Sequence, residues 1–351
     1  MVKARKHLDA FAPYLLPSGT WKGKLRLNMN ESHWHCSPKA LEVIRNFDPA
    51  DLSNYPQYGE LVEKIAVHHG VGTDQVVAGN GADDVITLIM EAFIEPGDEI
   101  VAQCPTYPMF PIMGRLKQGK IIDVPYGLDL KFPVERMLDV INDKTRMVTV
   151  VNPANPAGTS ISRQDLIRIF EKAKNSILIL DEAYSQYAGI THIDLLSKFP
   201  NLIVIYSFAK VYGMAGLRLG YAVSHRQNIE ALQKVVLPLA VNSLAVKAGI
   251  QAIQDQDFVK KVVAEIRSEK EFLIAEAEKI GLETVRSDTN FLLFKFGKHC
   301  LTMLAELENR NILVRNTCKF PELKDYLRVT IGRRNENMQF IKAVAEIMKK
   351  L

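Results

Sequence analysis

Cysteine is scarce: four residues in 351, at 36, 104, 300 and 318, far apart and without a CxxC spacing. That pattern gives no zinc-ligand set and no basis for a disulfide framework in a chain this long. Long hydrophobic runs are missing as well. No stretch of 18 uncharged apolar residues occurs, and the basic opening MVKARKHLDAFAPYLLPSG lacks the apolar run of a signal peptide, so the expectation is a soluble, cytoplasmic protein. Neither sign of charge dominates. The 44 Lys and Arg against 40 Asp and Glu are spread along the chain, which argues against nucleic acid or a membrane surface as partner. No repeat and no low-complexity linker is visible. What the chain does have is length and a 47% hydrophobic content, enough for a substantial core divided between two domains.

Strand-like apolar runs fall at residues 75–78, 99–104, 120–124, 146–151, 176–180, 202–208 and 219–223. Helical patterns lie between them, among them DDVITLIMEAFI from Asp83 and RQDLIRIFEKAKN from Arg163. This alternation predicts an α/β domain with helices on both faces of its sheet and a ligand site at the carboxyl ends of the strands. A long helical pattern, QDFVKKVVAEIRSEKEFLIAEAEKI, then leads to strands at 291–296, 312–315 and 327–331 and a last helix in NMQFIKAVAEIMKK, the pattern of a smaller α+β domain. The expected division gives residues 30–260 to the large domain and residues 1–29 with 261–351 to the small one.

Several polar signals sit at the predicted strand exits. In YSFAKVYGMAGLRLGY, residues 206–221, Lys210 comes just beyond an apolar strand, and Gly213, Gly216 and Gly220 let the backbone turn and approach other groups closely. Taken alone, Lys210 is one basic residue among many. GNGADD, residues 79–84, joins a strand to a helix. Its small residues and free amides suit a phosphate, and its acidic pair equally suits ordinary helix capping. In NPANPAG, residues 152–158, a turn accounts for the prolines and leaves Asn155 unexplained. Asp181 in DEAY closes an apolar strand, as a helix cap or as partner to a protonated ring nitrogen. Tyr107 in PTYPMF either stacks on a flat ligand or fills core space.

Together with LNMNE (27–31), NYPQYG (54–59), NFLLF (290–294), ILVRN (312–316) and LRVTIG (327–332), these motifs, in this order and spacing, resemble the fold-type I pyridoxal-phosphate aminotransferases. More narrowly the chain resembles their histidinol-phosphate aminotransferase group, over nearly its whole length. The resemblance implies a mostly parallel seven-stranded sheet domain with a smaller α+β domain, and pyridoxal 5'-phosphate as cofactor with no metal. It implies that Lys210 binds the cofactor covalently and moves the substrate's proton, and that Asp181 pairs with the pyridine nitrogen. Asn155 and Tyr184 would bond the phenolic oxygen and Tyr107 would stack on the ring. The backbone at Gly81 and Ala82, with the side chains of Ser207 and Arg218, would take the phosphate; the plainer role for Arg218 is an ion pair beside a turn. Ala209 departs from the pattern, which has a second hydroxyl residue just before the lysine. Family members are usually homodimers with shared sites, so Tyr55 would reach the neighbouring subunit's cofactor phosphate, or else serve as an aromatic core or interface residue.

For substrate, the resemblance implies a small-molecule amino donor and a keto acceptor: histidinol phosphate with 2-oxoglutarate, giving imidazole acetol phosphate and glutamate. Arg328 takes the carboxylate or phosphate position, Arg315 and Tyr14 are further candidates for the phosphate end, and Asn30 borders the pocket. The residues after LNMNE read SHWHC where the group has asparagine-proline-tyrosine-glycine-proline. His33, Trp34 and His35 therefore stand either as an aromatic site, pointing to an aromatic aminotransferase, or as a partly exposed loop. A decarboxylase of a phosphorylated amino acid and a noncatalytic binding protein are the other readings. The joint presence of Lys210, Asp181, Asn155, Tyr184 and Arg218 speaks against the last.

Overall fold

The apolar runs become the strands of two sheets. In the computed structural model, which describes residues 2–11 and 20–351, the strands are β1 (Leu25–Leu27), β2 (Val76–Gly79), β3 (Glu99–Cys104), β4 (Lys120–Pro125), β5 (Thr145–Val151), β6 (Ile177–Asp181), β7 (Leu202–Ser207), β8 (Gly220–Ser224), β9 (Thr284–Val285), β10 (Phe291–Lys295), β11 (Ile312–Asn316) and β12 (Tyr326–Thr330). The larger sheet has the order β2-β8-β7-β6-β5-β3-β4. Its four pairings from β4 to β7 are parallel, and β8 runs antiparallel to both β7 and β2.

Burial on both faces explains why these strands are nearly continuous apolar runs. Along β7, Leu202, Val204 and Tyr206 pack into one core, while Ile203 and Ile205 enter the core on the opposite face. The Ala82–Phe93 helix covers that second face with Val85, Ile86, Leu88, Ile89 and Met90. Strand order reverses between β3 and β5, so the loops after β5, β6 and β7 converge at one edge.

The smaller sheet, β1-β11-β12-β10-β9, has its own core around Leu292, Phe294, Leu327, Val329 and Phe340. Its edge strand β1 comes from near the chain's start and pairs in parallel with β11. The sequence pattern missed β1 and β9, which have only three and two residues. That is too short for an alternation to register.

One expectation needs correction, and one pair of alternatives is decided. Cys300 and Cys318 form a disulfide, although neither has a neighbouring cysteine in sequence. The Cys300–Asn309 helix and β11 run out and back, returning Cys318 to the helix start. The SHWHC segment, in turn, takes the second of its two readings, a partly exposed loop, but with its tryptophan turned into the core. Trp34 is buried in the larger core, its indole N–H donates to Glu265 on the Gln256–Lys279 helix, and the Arg333 guanidinium lies 4.7 Å from its ring centroid. His33 Nδ1 lies 2.8 Å from Glu336 Oε2, and its Nε2 lies 3.1 Å from the Arg26 carbonyl oxygen. Only His35 of the three is exposed. The segment thus ties the chain's early part to the Gln256–Lys279 helix and to the start of the Arg334–Met348 helix.

Replacing Trp34 with alanine should cost about 3–5 kcal/mol of unfolding free energy in denaturant titration, because a buried ring is removed. Trp34→Phe should cost only about 1–2 kcal/mol, mainly through the lost indole hydrogen bond. Equal losses in the two variants would contradict this packing role.

Candidate active site

Lys210 stands in a tight turn beyond β7. The turn is closed by the Phe208 N–H to the Leu219 carbonyl at 3.0 Å, the Met214 N–H to the Phe208 carbonyl at 3.0 Å, and the Gly213 N–H to the Lys210 carbonyl at 3.0 Å. Gly213 has φ +67°, and a β-carbon there would meet the His35 carbonyl oxygen at 1.9 Å. Only glycine allows the turn to press against the 29–36 segment in this way. Lys210 Nζ accordingly lies 3.4 Å from the Met29 carbonyl oxygen and 5.6 Å from the Tyr184 ring centroid.

On one side of Lys210, the start of the Ala82–Phe93 helix meets Arg218. A β-carbon on Gly81 would come within 2.6 Å of Arg218 Nη2, and one on Gly220 within 2.4 Å of the Ala82 nitrogen. These glycines let helix-start amides and a guanidinium share one small space. Asp83 binds both neighbours there, accepting from Tyr107 Oη at 2.6 Å and from Arg218 Nη2 at 2.9 Å. Burial, then Asp83, pushes the Tyr107 phenol above its usual value. Arg218 is therefore ion-paired beside a turn, with its guanidinium against the start of the Ala82–Phe93 helix.

On the other side lies Asp181, at the tip of β6 and 4% exposed. Its carboxylate accepts the Ala183 N–H at 2.9 Å, and burial pushes its carboxyl up to about 6. Tyr184 carries a hydroxyl that accepts from Asn30 Nδ2 at 2.8 Å and from Asn155 Nδ2 at 3.5 Å. Asn155 Oδ1 accepts from Arg328 Nη1 at 2.5 Å, and Arg328 Nη2 reaches the Asn28 carbonyl oxygen at 2.9 Å. Asn30 is fixed through its own N–H, which donates to Thr330 Oγ1 at 3.0 Å.

Ala82, Tyr107, Asn155, Asp181, Tyr184, Ser207, Lys210 and Arg218 border one narrow cavity, and Gly81 forms its rim against Arg218. The cavity opens into a cleft of about 500 Å³ lined in part by Asn30, Arg315 and Arg328. The donor set suits a phosphorylated pyridine aldehyde. A buried carboxyl awaits a cation, a primary amine faces the middle, and a guanidinium with helix-start amides closes the far end. Tyr55 lies outside this cleft, 82% exposed, and Tyr14 lies outside the described residues. His33, Trp34 and His35 do not line the cleft. Sequence reasoning overlooked Asp83, which GNGADD presents like any helix-capping acid, and the Asn155–Arg328 bond, which joins residues 173 apart.

The family model for aminotransferase class I and II matches residues 22–344. The chain belongs to this family. Among class I and II aminotransferases, it is 34% identical over 338 residues to histidinol-phosphate aminotransferase 2 of Carboxydothermus hydrogenoformans, covering 92% of this chain and 91% of that one. It is 31% identical over 325 residues to histidinol-phosphate aminotransferase 1 of Archaeoglobus fulgidus, covering 92% of this chain and 99% of that one. Among solved structures, the histidinol-phosphate aminotransferase of Sinorhizobium meliloti in complex with pyridoxal-5'-phosphate superposes with a TM-score of 0.87 at 26% identity, covering 93% of this chain and 91% of that one. The family match and the structural superposition therefore agree on the fold.

Asp181→Asn tests the electrostatics of the site. The folded carboxyl, at about 6, holds its proton more tightly than an unfolded one near 3.9, so its ionised form destabilises the fold. In protein prepared without cofactor, Asp181→Asn should raise the unfolding free energy at pH 8 by on the order of 2–3 kcal/mol. That gain should shrink as pH falls through 6 and vanish below about 4, while turnover with cofactor collapses. A gain independent of pH would reject the assignment.

Proposed function

We propose that this chain is a pyridoxal-phosphate-dependent aminotransferase that interconverts histidinol phosphate and 2-oxoglutarate with imidazole acetol phosphate and glutamate, in histidine biosynthesis. The observation that carries this reading is the cationic cleft above Lys210, with Arg315 and Arg328 on its wall, in a chain whose curated relatives are named for that activity. Histidinol phosphate has no alpha-carboxylate and carries a phosphate, whereas glutamate carries two carboxylates. One set of guanidinium groups serves both, because the planar fork accepts either anion.

When bound, pyridoxal phosphate supplies an electron sink for the substrate's alpha carbon. The residues of this chain do the rest. Lys210 would hold the cofactor through its amine and would carry the proton at the substrate's alpha carbon, since it is the primary amine on the cavity wall. Asp181 would keep the ring nitrogen protonated, because the same burial that raises its own carboxyl would strengthen its pairing with a cation. The Tyr184 hydroxyl and Asn155 amide would hold the ring's phenolic oxygen, and Tyr107 would lie against the ring. Gly81 and Ala82 offer backbone amides to the phosphate, with Ser207 and Arg218 beside them. Ala209 offers no hydroxyl, so its contribution to the phosphate is limited to its backbone. Asn155 also binds Arg328, which links the group that tunes the ring to one that holds the substrate.

The molecule works as a homodimer in this reading. Tyr55 and Leu52, 82% and 75% exposed, leave an apolar surface that a second copy covers, and Tyr55 then completes the partner's phosphate site. Sedimentation should give a dimer. Mixing Tyr55→Phe with Lys210→Ala chains should return activity to one composite site per dimer and none to the other. Absence of complementation would leave each site within one chain.

A side-by-side assay with 2-oxoglutarate as acceptor decides the substrate. Histidinol phosphate should show a higher kcat/KM than phenylalanine, tyrosine or aspartate, and a higher value for either aromatic donor would replace it with an aromatic aminotransferase. Lys210→Ala should lower kcat by at least about a thousandfold and abolish the visible absorbance that cofactor gives the unaltered protein. Carbon dioxide release without an acceptor would mark a decarboxylase instead.

A further inference from the structure

Beyond Arg315 the chain makes a tightly held turn. Asn316 Oδ1 accepts the Cys318 N–H at 2.9 Å, the Thr317 hydroxyl donates to the Tyr326 carbonyl, and Cys318 is cross-linked to Cys300. These ties fix the residue that follows, Lys319, at the wall of the same cleft that holds Arg315, Arg328 and Lys210. Its Nζ lies 5.0 Å from the ring centroid of Phe320, which also lines the cleft, so the ammonium is held along an aromatic face. We propose that Lys319 is a substrate-binding residue that acts with Arg315 on the phosphate of the amino donor and sets the preference for a phosphomonoester over a carboxylate. This assignment rests on the histidinol phosphate reading above.

Charge and shape support it. Among the described residues the cleft wall carries five cationic ones, Lys210, Arg218, Arg315, Lys319 and Arg328, against two carboxylates, Glu31 and Asp83. Glu31 faces Arg26 and Asp83 faces Arg218. Partial desolvation of the otherwise exposed Lys319, then the charge of Arg315, holds its ammonium below its usual value. A dianion placed between the two cations removes that repulsion, whereas a carboxylate, with one charge, removes less of it. Geometry points the same way. A single guanidinium fork satisfies the two oxygens of a carboxylate, but a phosphomonoester has a third oxygen and a second charge that call for a donor from another direction. Lysine's compact ammonium on a flexible stem supplies that donor.

The test uses cofactor-loaded, unaltered protein beside Lys319→Met and Lys319→Arg, with histidinol phosphate and histidinol as paired donors. Lys319→Met should raise KM for histidinol phosphate by about tenfold, leave kcat within about twofold, and leave kcat/KM for histidinol and KM for 2-oxoglutarate nearly unchanged. Lys319→Arg should restore most of the loss. An unchanged KM for histidinol phosphate, or an equal loss with histidinol, would overturn the proposal while leaving the substrate reading intact. If the unaltered protein shows no preference for histidinol phosphate, the substrate reading itself fails. Inhibition by glycerol 3-phosphate, measured with the donor the enzyme does use, then decides Lys319: weaker inhibition of Lys319→Met supports the assignment, and equal inhibition rejects it.

Discussion

The site depends on one close packing contact, the Lys210 turn pressed against the 29–36 segment. Gly213 lies under the His35 carbonyl, so the turn and the segment hold each other with no room for a side chain. Remove that contact and two sets of groups lose their common frame. Lys210 belongs to the larger sheet through β7, while Asn30 belongs to the smaller one through Thr330 on β12. The cleft between them is defined because the backbone of the segment is clamped from both sides: Gly213 on one, and the Trp34–Arg333–Glu265 cluster on the other. Close packing of this kind resists deformation, and it holds distances that hydrogen bonds alone would leave loose.

Much of this architecture was readable from the residues. The β7 run LIVIYS is apolar because both of its faces are buried, and its end marks where Lys210 must leave the sheet. Asp181, Asn155 and Ser207 were legible for a related reason, since a polar group directly after a buried strand lies at the sheet's ligand edge. What escaped was non-local. The Asn155–Arg328 bond joins two sheets, and the disulfide joins a helix start to a turn after the next strand. The burial of Trp34 was not legible because its sequence neighbours are polar or ionisable, while the groups that meet it, Arg333 and Glu265, lie hundreds of residues away in sequence. Local pattern carries information about burial and turning; it carries little about which distant side chain will arrive.

The electrostatics of the site are organised as two poles around a central amine. At one, a carboxyl is held in a dry environment that makes ionisation unfavourable until a cation arrives. At the other, amides and a guanidinium gather where the Ala82–Phe93 helix begins. A ligand that carries positive character at one end and a phosphate at the other satisfies both poles at once, and a ligand with only one of these features satisfies one and leaves the other unpaired.

The ion pair between Asp83 and Arg218 gives the phosphate pole a further property. An anion that enters there meets a guanidinium already neutralised, and must compete with a carboxylate that also holds Tyr107. A free inorganic ion has nothing but its charge to offer in that exchange. A phosphate borne on a ring gripped elsewhere arrives at high effective concentration and wins it. The carboxylate thus holds the guanidinium and the phenol in place while the pole is empty, so that a ligand entering there exchanges one set of ionic contacts for another.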